Sequence, residues 1–570
     1  MMVQGFDDWP NEAGFRGLTE VRGPMELIVK GHIPTYAAGT LYRTGPGEYD
    51  LEDTPKGTFR TTHWFDGFGH THKFDMIPDT DDTRRPMRVQ YSSRRQSQEL
   101  VEVIKKSGHR QQNISFGQRR DPCVGLFGKM MAVWRNPSVK RTANPDNISV
   151  TVQANVPGLS PCSGSVAQAE AGHPTDLKNV WLTTDSNSLK MFDQHTLEPI
   201  GHATQEKLHP LLKGPLSCAH AQRDPNTGSL FNYNLEMGRY ATYRVFRVNA
   251  SDGTTDILAT ICEADVMPAY IHSFFLSPSF VILCVPSSHI GMMGLKVVWE
   301  RNLVDAIEPF DQSKLCKWFV IDRIGGRGVV AAFESDAGFF FHSINSFEER
   351  DEETGDLNIF CDVIQYKTLD VIRSFEMDIL LQRNNETKRY WGDEARNRNL
   401  HARLIRYKLR VPGQSLGSQE ASKAPAVGLL EKGLEIKTPH VGELPTINPR
   451  FATRKYRYVY SLPNRGYSTL LDSLAKTDLE TRETLFWDNP RGHTPGEAIF
   501  IPRPSSADDG ESQLDEDDGV LLSVVLDGFG KTSYLLCLDA KTMTELGRAE
   551  CEWAVALGFH GLHTSAIVPS

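Results

Sequence analysis

A chain of 570 residues, 39% hydrophobic and 24% charged, can bury a large core and is excluded from the disordered class. The formal net charge is −10, and seven acidic residues fall in the single run 505–519, so nothing in the charge balance suits a nucleic-acid partner. Nine scattered cysteines without a CxxC pair argue against a disulfide framework or a thiolate zinc site, and the acidic start MMVQGFDDWPNEAG has neither the cationic nor the apolar part of a signal peptide. No run of 18 apolar residues occurs. The expectation is a cytoplasmic protein with no membrane span.

In chain order, the segments YRVFRVN (243–249), FVILCV (280–285), NIFCDVIQY (358–366), YRYVYSL (456–462), AIFIPRP (498–504), LLSVVLD (521–527) and SYLLCLD (533–539) are short, β-branched or aromatic, and bounded by turn formers. Periodic helix signals are scarce, so the reading is all-β. Asp-x-x-Thr recurs at Asp193, Asp224, Asp252, Asp351, Asp478 and Asp539, where an Asp side chain can cap its own turn. Two of these, LKMFDQHTLEPIG (189–201) and LCLDAKTMTELG (536–547), also share a Gly eight residues past the Asp. Many hairpins of similar size in one long chain favour a propeller over a sandwich. Residues 414–438 and 505–519 read as surface loop insertions and 348–356 as a solvated acidic loop; no domain boundary is evident, so 1–570 is taken as one domain.

Four histidines end apolar runs: His220 in LSCAHAQRDP, His272 in PAYIHSFFLSP, His342 in GFFFHSINSFEER and His560 in ALGFHGLHTS. One such residue is ordinarily a satisfied core histidine, but four on the strand ends of a closed sheet can converge on its axis and hold a metal. The pairs His560/His563 and His70/His72 lack the glutamate that a HExxH helix supplies to a zinc hydrolase. DRIGGRG (322–328) has the wrong spacing for a dinucleotide fingerprint, and no nucleophile elbow is present.

The contexts A-H-x-x-x-D-P at His220, I-H-S-F at His272, F-H-x-x-N-x-x-E-E at His342 and G-F-H-G at His560 resemble, in order, the histidine motifs of the carotenoid cleavage oxygenase family. GTLYRTGPGEYDL (39–51), HWFDGFGHTHKF (63–74), DPCVGLFGK (121–129), KWFVIDR (317–323), ELPTINPRF (443–451) and GEAIFIPRP (496–504) are further landmarks of that resemblance. It implies a seven-bladed β-propeller with a helical and loop cap over one face, and non-haem Fe(II) held on the axis by His220, His272, His342 and His560. It also implies acceptors for their second ring nitrogens at Glu443, Glu497 and Asp185, the last standing where the family usually has Glu. The shorter Asp predicts a water-bridged bond or a small backbone shift. Around His560, Gly558 and Gly561 are expected to allow close approach and unusual φ values.

The implied activity is oxidative cleavage of a carotenoid or apocarotenoid C=C bond, with torulene or a related carotenoid as the substrate. Retinal-forming central cleavage of β-carotene, stilbene cleavage and retinoid isomerisation are the alternatives on the same scaffold. Phe341 and Phe559, each preceding a candidate ligand, and Thr184 are the expected substrate contacts; the family's stilbene-cleaving members resemble one another in having Lys where Thr184 stands. Segments 121–134 and 284–307 resemble the apolar patch by which members dip into a bilayer, Met292, Met293, Leu295, Val298 and Trp299 with Lys296 suiting an interfacial segment.

Overall fold

The computed structural model describes residues 6–79, 87–110, 114–119, 147–159, 177–413, 426–427, 429–504 and 515–565. Its strands form seven sheets of four to six strands, which follow one another as the blades of a propeller, plus one two-stranded hairpin, Asp50–Thr54 with Gly57–Arg60. Blade 1 is built on Gly39–Glu48, Phe68–Pro78 and Met87–Arg95, blade 2 begins at Thr151–Ala154 and blade 3 at Leu216–Ser217. Blade 4 begins at Phe275–Leu276, blade 5 at Phe339–Arg350, blade 6 at Glu443–Thr446 and blade 7 at His493–Pro495.

The two ends of the chain close the ring. Having completed blade 7, the chain returns to blade 1, where His560–Ser565 pairs antiparallel with Gly39–Glu48, His560 opposite Thr44. Near the other end, Met25–Glu26 adds to the outer edge of blade 1 and Ile28–Gly31 to the outer edge of blade 7. Closure abolishes the free edge that an open sheet would expose and orders residues that would otherwise fray.

Neighbouring blades bury their apolar faces against each other. Between blades 4 and 5 the rings of Trp318 and Tyr407 lie 5.0 Å apart, within a cluster that includes Phe275, Phe333, Ile359 and Leu409. The turns join these strands as their composition predicts: the carboxylates of Asp193, Asp224, Asp351, Asp478 and Asp539 accept from the backbone N–H of the threonine three residues on. Asp252 differs, capping Thr254 one residue earlier.

The loop expectations need correction. Within 414–438, Leu429–Lys437 is a strand paired antiparallel with Arg403–Val411, and its alternation places Leu434 and Ile436 in the core while Glu435 and Lys437 project outward. In the acidic stretch 348–356 the turn 351–356 is solvated as expected, Glu352 and Glu353 being exposed, while 348–350 ends a strand in which the Glu348 carboxylate accepts from Ser277 Oγ and the Ser279 N–H. At the end of the 505–519 run, Asp515, Asp517 and Asp518 are paired with Lys541, Lys476 and Arg503, and Glu516 accepts the N–H groups of Arg457 and Tyr458. Those acids anchor the entry to strand Gly519–Asp527; the preceding 505–514 lie outside the described residues.

Apart from Gln98–Ser107, which follows blade 1, the α-helices among the described residues are short and sit in the long connections of blades 4 and 5. Leu295–Glu300 and Leu303–Ala306 interrupt the former, and Asp370–Ser374, Met377–Leu380, Glu386–Trp391 and Glu394–Asn399 the latter. Their apolar residues, among them Val304, Ile372, Ile379 and Trp391, join one core cluster with Tyr270, Phe339 and Phe341 from the blades. This cluster lies beside the convergent histidines.

Candidate metal centre

Four blades each contribute one histidine: His560 and His342 from the inner strands of blades 1 and 5, His220 from a break in the inner edge of blade 3, and His272 from the chain three residues before the first strand of blade 4. One nitrogen from each of the four lies within 4.8 Å of the others. The ladder is irregular at several of these points. His220 sits in the gap between Leu216–Ser217 and Gln222–Arg223, which both pair with Leu230–Glu236, and His342 lies in a register shift between Phe340 and Ser343. Such breaks re-aim a side chain that a regular strand would hold along the sheet normal.

The three remaining blades supply carboxylates. Asp185 of blade 2, Glu443 of blade 6 and Glu497 of blade 7 accept from the Nδ1 atoms of His272 (2.8 Å), His342 (2.6 Å) and His560 (2.7 Å). Here too the ladder is interrupted: Glu497 lies between His493–Pro495 and Ile499–Pro502, which pair with the same strand, and a register shift follows Glu443, where Leu444 takes a φ of 50°. A left-handed leucine costs backbone strain and is held there by its surroundings.

Each carboxylate is itself fixed. Asp185 accepts the Ala219 N–H at 3.0 Å and the Tyr270 hydroxyl at 2.9 Å. Glu497 accepts the Gly561 N–H at 2.8 Å and pairs at 2.7 Å with Arg43, a guanidinium buried to 3% exposure whose other arm donates to the Phe559 carbonyl at 3.3 Å. The shorter Asp185 therefore reaches His272 directly, with its second oxygen at 3.0 Å, and the expected water bridge is not needed. Among the described residues, His220 alone of the four has no carboxylate on its ring.

Burial holds His220 and His560 well below the ordinary imidazole pKa, and the neighbouring rings reinforce it. Burial also raises the Glu497 carboxyl, an effect the Arg43 charge opposes. With Nδ1–H committed to a carboxylate, the rings of His272, His342 and His560 each present a bare Nε2 lone pair. Yet Nε2 of His220 lies 3.1 Å from those of His272 and His560, and Nε2 of His342 lies 3.3 Å from that of His560. Facing lone pairs repel; a cation among them converts the repulsion to ligation. Adjacent ligands on metal–nitrogen bonds of about 2.1 Å stand about 3 Å apart, so the donor set fits a metal ion, and imidazole suits Fe, Zn, Cu or Ni.

Beside the histidines stands an aromatic wall. Phe341 lies 5.8 Å from the His272 ring, and Phe559 lies 5.0 Å from both Trp64 and Phe65. Phe65 contacts Phe116 at 4.9 Å and Phe375 at 5.3 Å; all three stay partly accessible while packed on the core. Thr184 is half-buried, one residue before Asp185. Phe65 and Arg43 lie in the landmarks HWFDGFGHTHKF and GTLYRTGPGEYDL and Tyr270 stands two residues before His272, but Phe116 and Phe375 come from a loop and a helix end with no local signal of their role.

The other expectations divide. Gly558 and Gly561 do allow close approach, a Cβ on Gly561 falling 2.7 Å from the Tyr42 carbonyl, but neither has a positive φ, so the unusual backbone expected there is absent. His70 and His72 lie in the strand Phe68–Pro78 of blade 1, with His72 bonded to Tyr91, and His563 Nε2 contacts the Ala37 carbonyl; of the two pairs only His560 joins the convergent set, without its neighbour His563.

A family model described as retinal pigment epithelial membrane protein matches residues 14–565. The chain belongs to this carotenoid oxygenase family. It is 53% identical to a carotenoid dioxygenase of Neurospora crassa, over 98% of this chain and 91% of that one. With a torulene dioxygenase of Gibberella fujikuroi it shares 46% identity over 99% and 95% of the two chains. In fold it is similar to the crystal structure of cobalt-substituted Synechocystis ACO, with a TM-score of 0.69 and 21% identity over 98% of each chain. Family members thus share the whole propeller and not a fragment of it.

Proposed function

We propose that the protein is a non-haem Fe(II) dioxygenase that cleaves one C=C bond of a carotenoid or apocarotenoid into two carbonyl products, with torulene as the preferred substrate. The observation that carries this reading is the convergence of four imidazole Nε2 atoms, three of the rings locked by carboxylates on Nδ1. The names of the two fungal relatives support the substrate class.

His220, His272, His342 and His560 would hold the iron(II), which would supply the binding and activation of dioxygen. Reducing O₂ fully takes four electrons, and the C=C bond that becomes two carbonyls provides all four, so no external reductant is needed. The chain's own contribution is placement. Asp185, Glu443 and Glu497 hold each Nδ1–H and so aim each Nε2. Phe65, Phe341 and Phe559 present apolar ring faces beside the ligands, which excludes water and takes a polyene in extended form.

We further read 284–307 as a peripheral membrane contact through which a lipophilic substrate is collected. Met292 and Leu295 are each 65% exposed, next to Lys296, and Met292 and Met293 are held at positive φ. No helix among the described residues is long and apolar enough to cross a membrane. The companion segment 121–134, with Cys123, lies outside the described residues.

The test is incubation of the iron-loaded protein with torulene, β-carotene, an apocarotenal and a stilbene under isotopically labelled dioxygen. Two shorter carbonyl products from a carotenoid, carrying label, are expected; an isomer of unchanged mass sinks the proposal. Asp185→Asn keeps an acceptor for His272 but loses the negative charge, and is expected to weaken iron binding about tenfold, the low end of the range for outer-shell substitutions. Titration of the apoprotein with iron(II) measures it.

A further inference from the structure

Asp66 lies outside the metal centre, and its carboxylate is 2% exposed. It makes no bond to the histidines or to their acids. Instead, Oδ1 accepts the Phe116 N–H at 2.8 Å and Oδ2 the Gly117 N–H at 2.6 Å, while Arg110 Nη1 donates to Oδ1 at 3.1 Å. A buried carboxylate spent on two consecutive backbone N–H groups of a distant loop is a clamp on that loop. The seat is tight: a Cβ on Gly117 would fall 2.8 Å from His63 Cδ2.

What the clamp presents is the Phe116 ring. It packs 4.9 Å from Phe65 and 5.4 Å from Tyr270, so it bridges the wall beside the histidines and the tyrosine that holds Asp185. On the far side the same loop is tied to the cap, Phe116 O accepting the Val304 N–H at 2.9 Å. Asp66 is in turn set by its own backbone turn, where its N–H donates to the His63 carbonyl at 3.0 Å and Phe65 is its neighbour in sequence. One short segment therefore places two contacting rings of the aromatic wall: Phe65 covalently, and Phe116 through a side chain.

We propose that Asp66 is a positioning residue that fixes substrate selectivity by holding Phe116 in the aromatic wall beside the histidines. The inference rests on the polyene-cleaving function proposed above. Discrimination in an apolar pocket comes from wall atoms that cannot retreat, and losing one such contact typically relaxes selectivity about tenfold or more. In Asp66→Asn the side chain keeps its volume but offers one acceptor in place of two, so one loop N–H loses its partner and the ring is free to move.

The experiment compares wild type, D66N, F116A and the double variant in the ratio of kcat/KM for torulene to that for an apocarotenal. The ratio is expected to fall about tenfold in both single variants and no further in the double, the signature of Asp66 acting through Phe116. A folded D66N with an unaltered ratio, or a double variant whose loss is the product of the two singles, overturns the proposal. Should D66N not fold, F116A decides alone: an unaltered ratio overturns it and a lowered one upholds it. Amide exchange at Phe116 and Gly117, expected to quicken in D66N, reads the clamp without turnover. If the wild type cleaves no polyene, the function fails while the exchange result still stands or falls by itself.

Discussion

His342→Ala is expected to abolish both iron retention and cleavage. It removes one of four donors and, at the same time, deprives the buried Glu443 carboxylate of the N–H it accepts at 2.6 Å. Loss of an outer-shell partner alone costs roughly 10–100-fold in affinity or activity, and loss of a donor exceeds that. The measurement is iron per chain by elemental analysis, beside product formation. His563→Ala is the matched control: its Nε2 meets only the Ala37 carbonyl at 3.2 Å, away from the cluster, and both quantities should be retained. Full iron in H342A, or its loss in H563A, contradicts the assignment of the centre.

The second large effect is expected at Arg43, where methionine approximates the length but removes the charge. Glu497 would be left buried without its counter-ion while still bonded to His560 and the Gly561 N–H. Breaking a buried pair from one side costs about 3–5 kcal/mol, so the denaturation midpoint of R43M should fall markedly. The double variant R43M/E497Q separates two roles. Neutralising both partners should return most of the stability, yet the outer-shell charge that raises His560 basicity is gone, so iron binding stays weak. R43M as stable as wild type would show that the pair does not support the fold.

Much of the site was legible locally because a ligand histidine needs a particular local chain. His560 sits between glycines that permit close approach to blade 1, and His342 follows three phenylalanines that bury its strand. Turn chemistry was legible for the same reason: an Asp caps its own turn at a fixed spacing, and five of six such motifs do so at the expected threonine. Strand Leu429–Lys437 escaped notice because charged residues at alternate positions and Gly433 mask an inward row that becomes apolar only once Arg403–Val411 lies beside it.

By itself the sequence determined the class of structure, because strand periodicity and turn residues are properties of neighbours along the chain, and its ordered motifs, through their resemblance to a known family, pointed to the four imidazoles and the acids able to orient them. The tertiary structure alone decided which acid meets which ring, that Tyr270 and Arg43 stand behind those acids, and that Asp66 seats Phe116. Asp185 and His272 are 87 residues apart, and Arg43 and Glu497 454 apart. Such pairs exist only because ring closure brings segments of seven blades together, and no local pattern encodes a distance that closure creates.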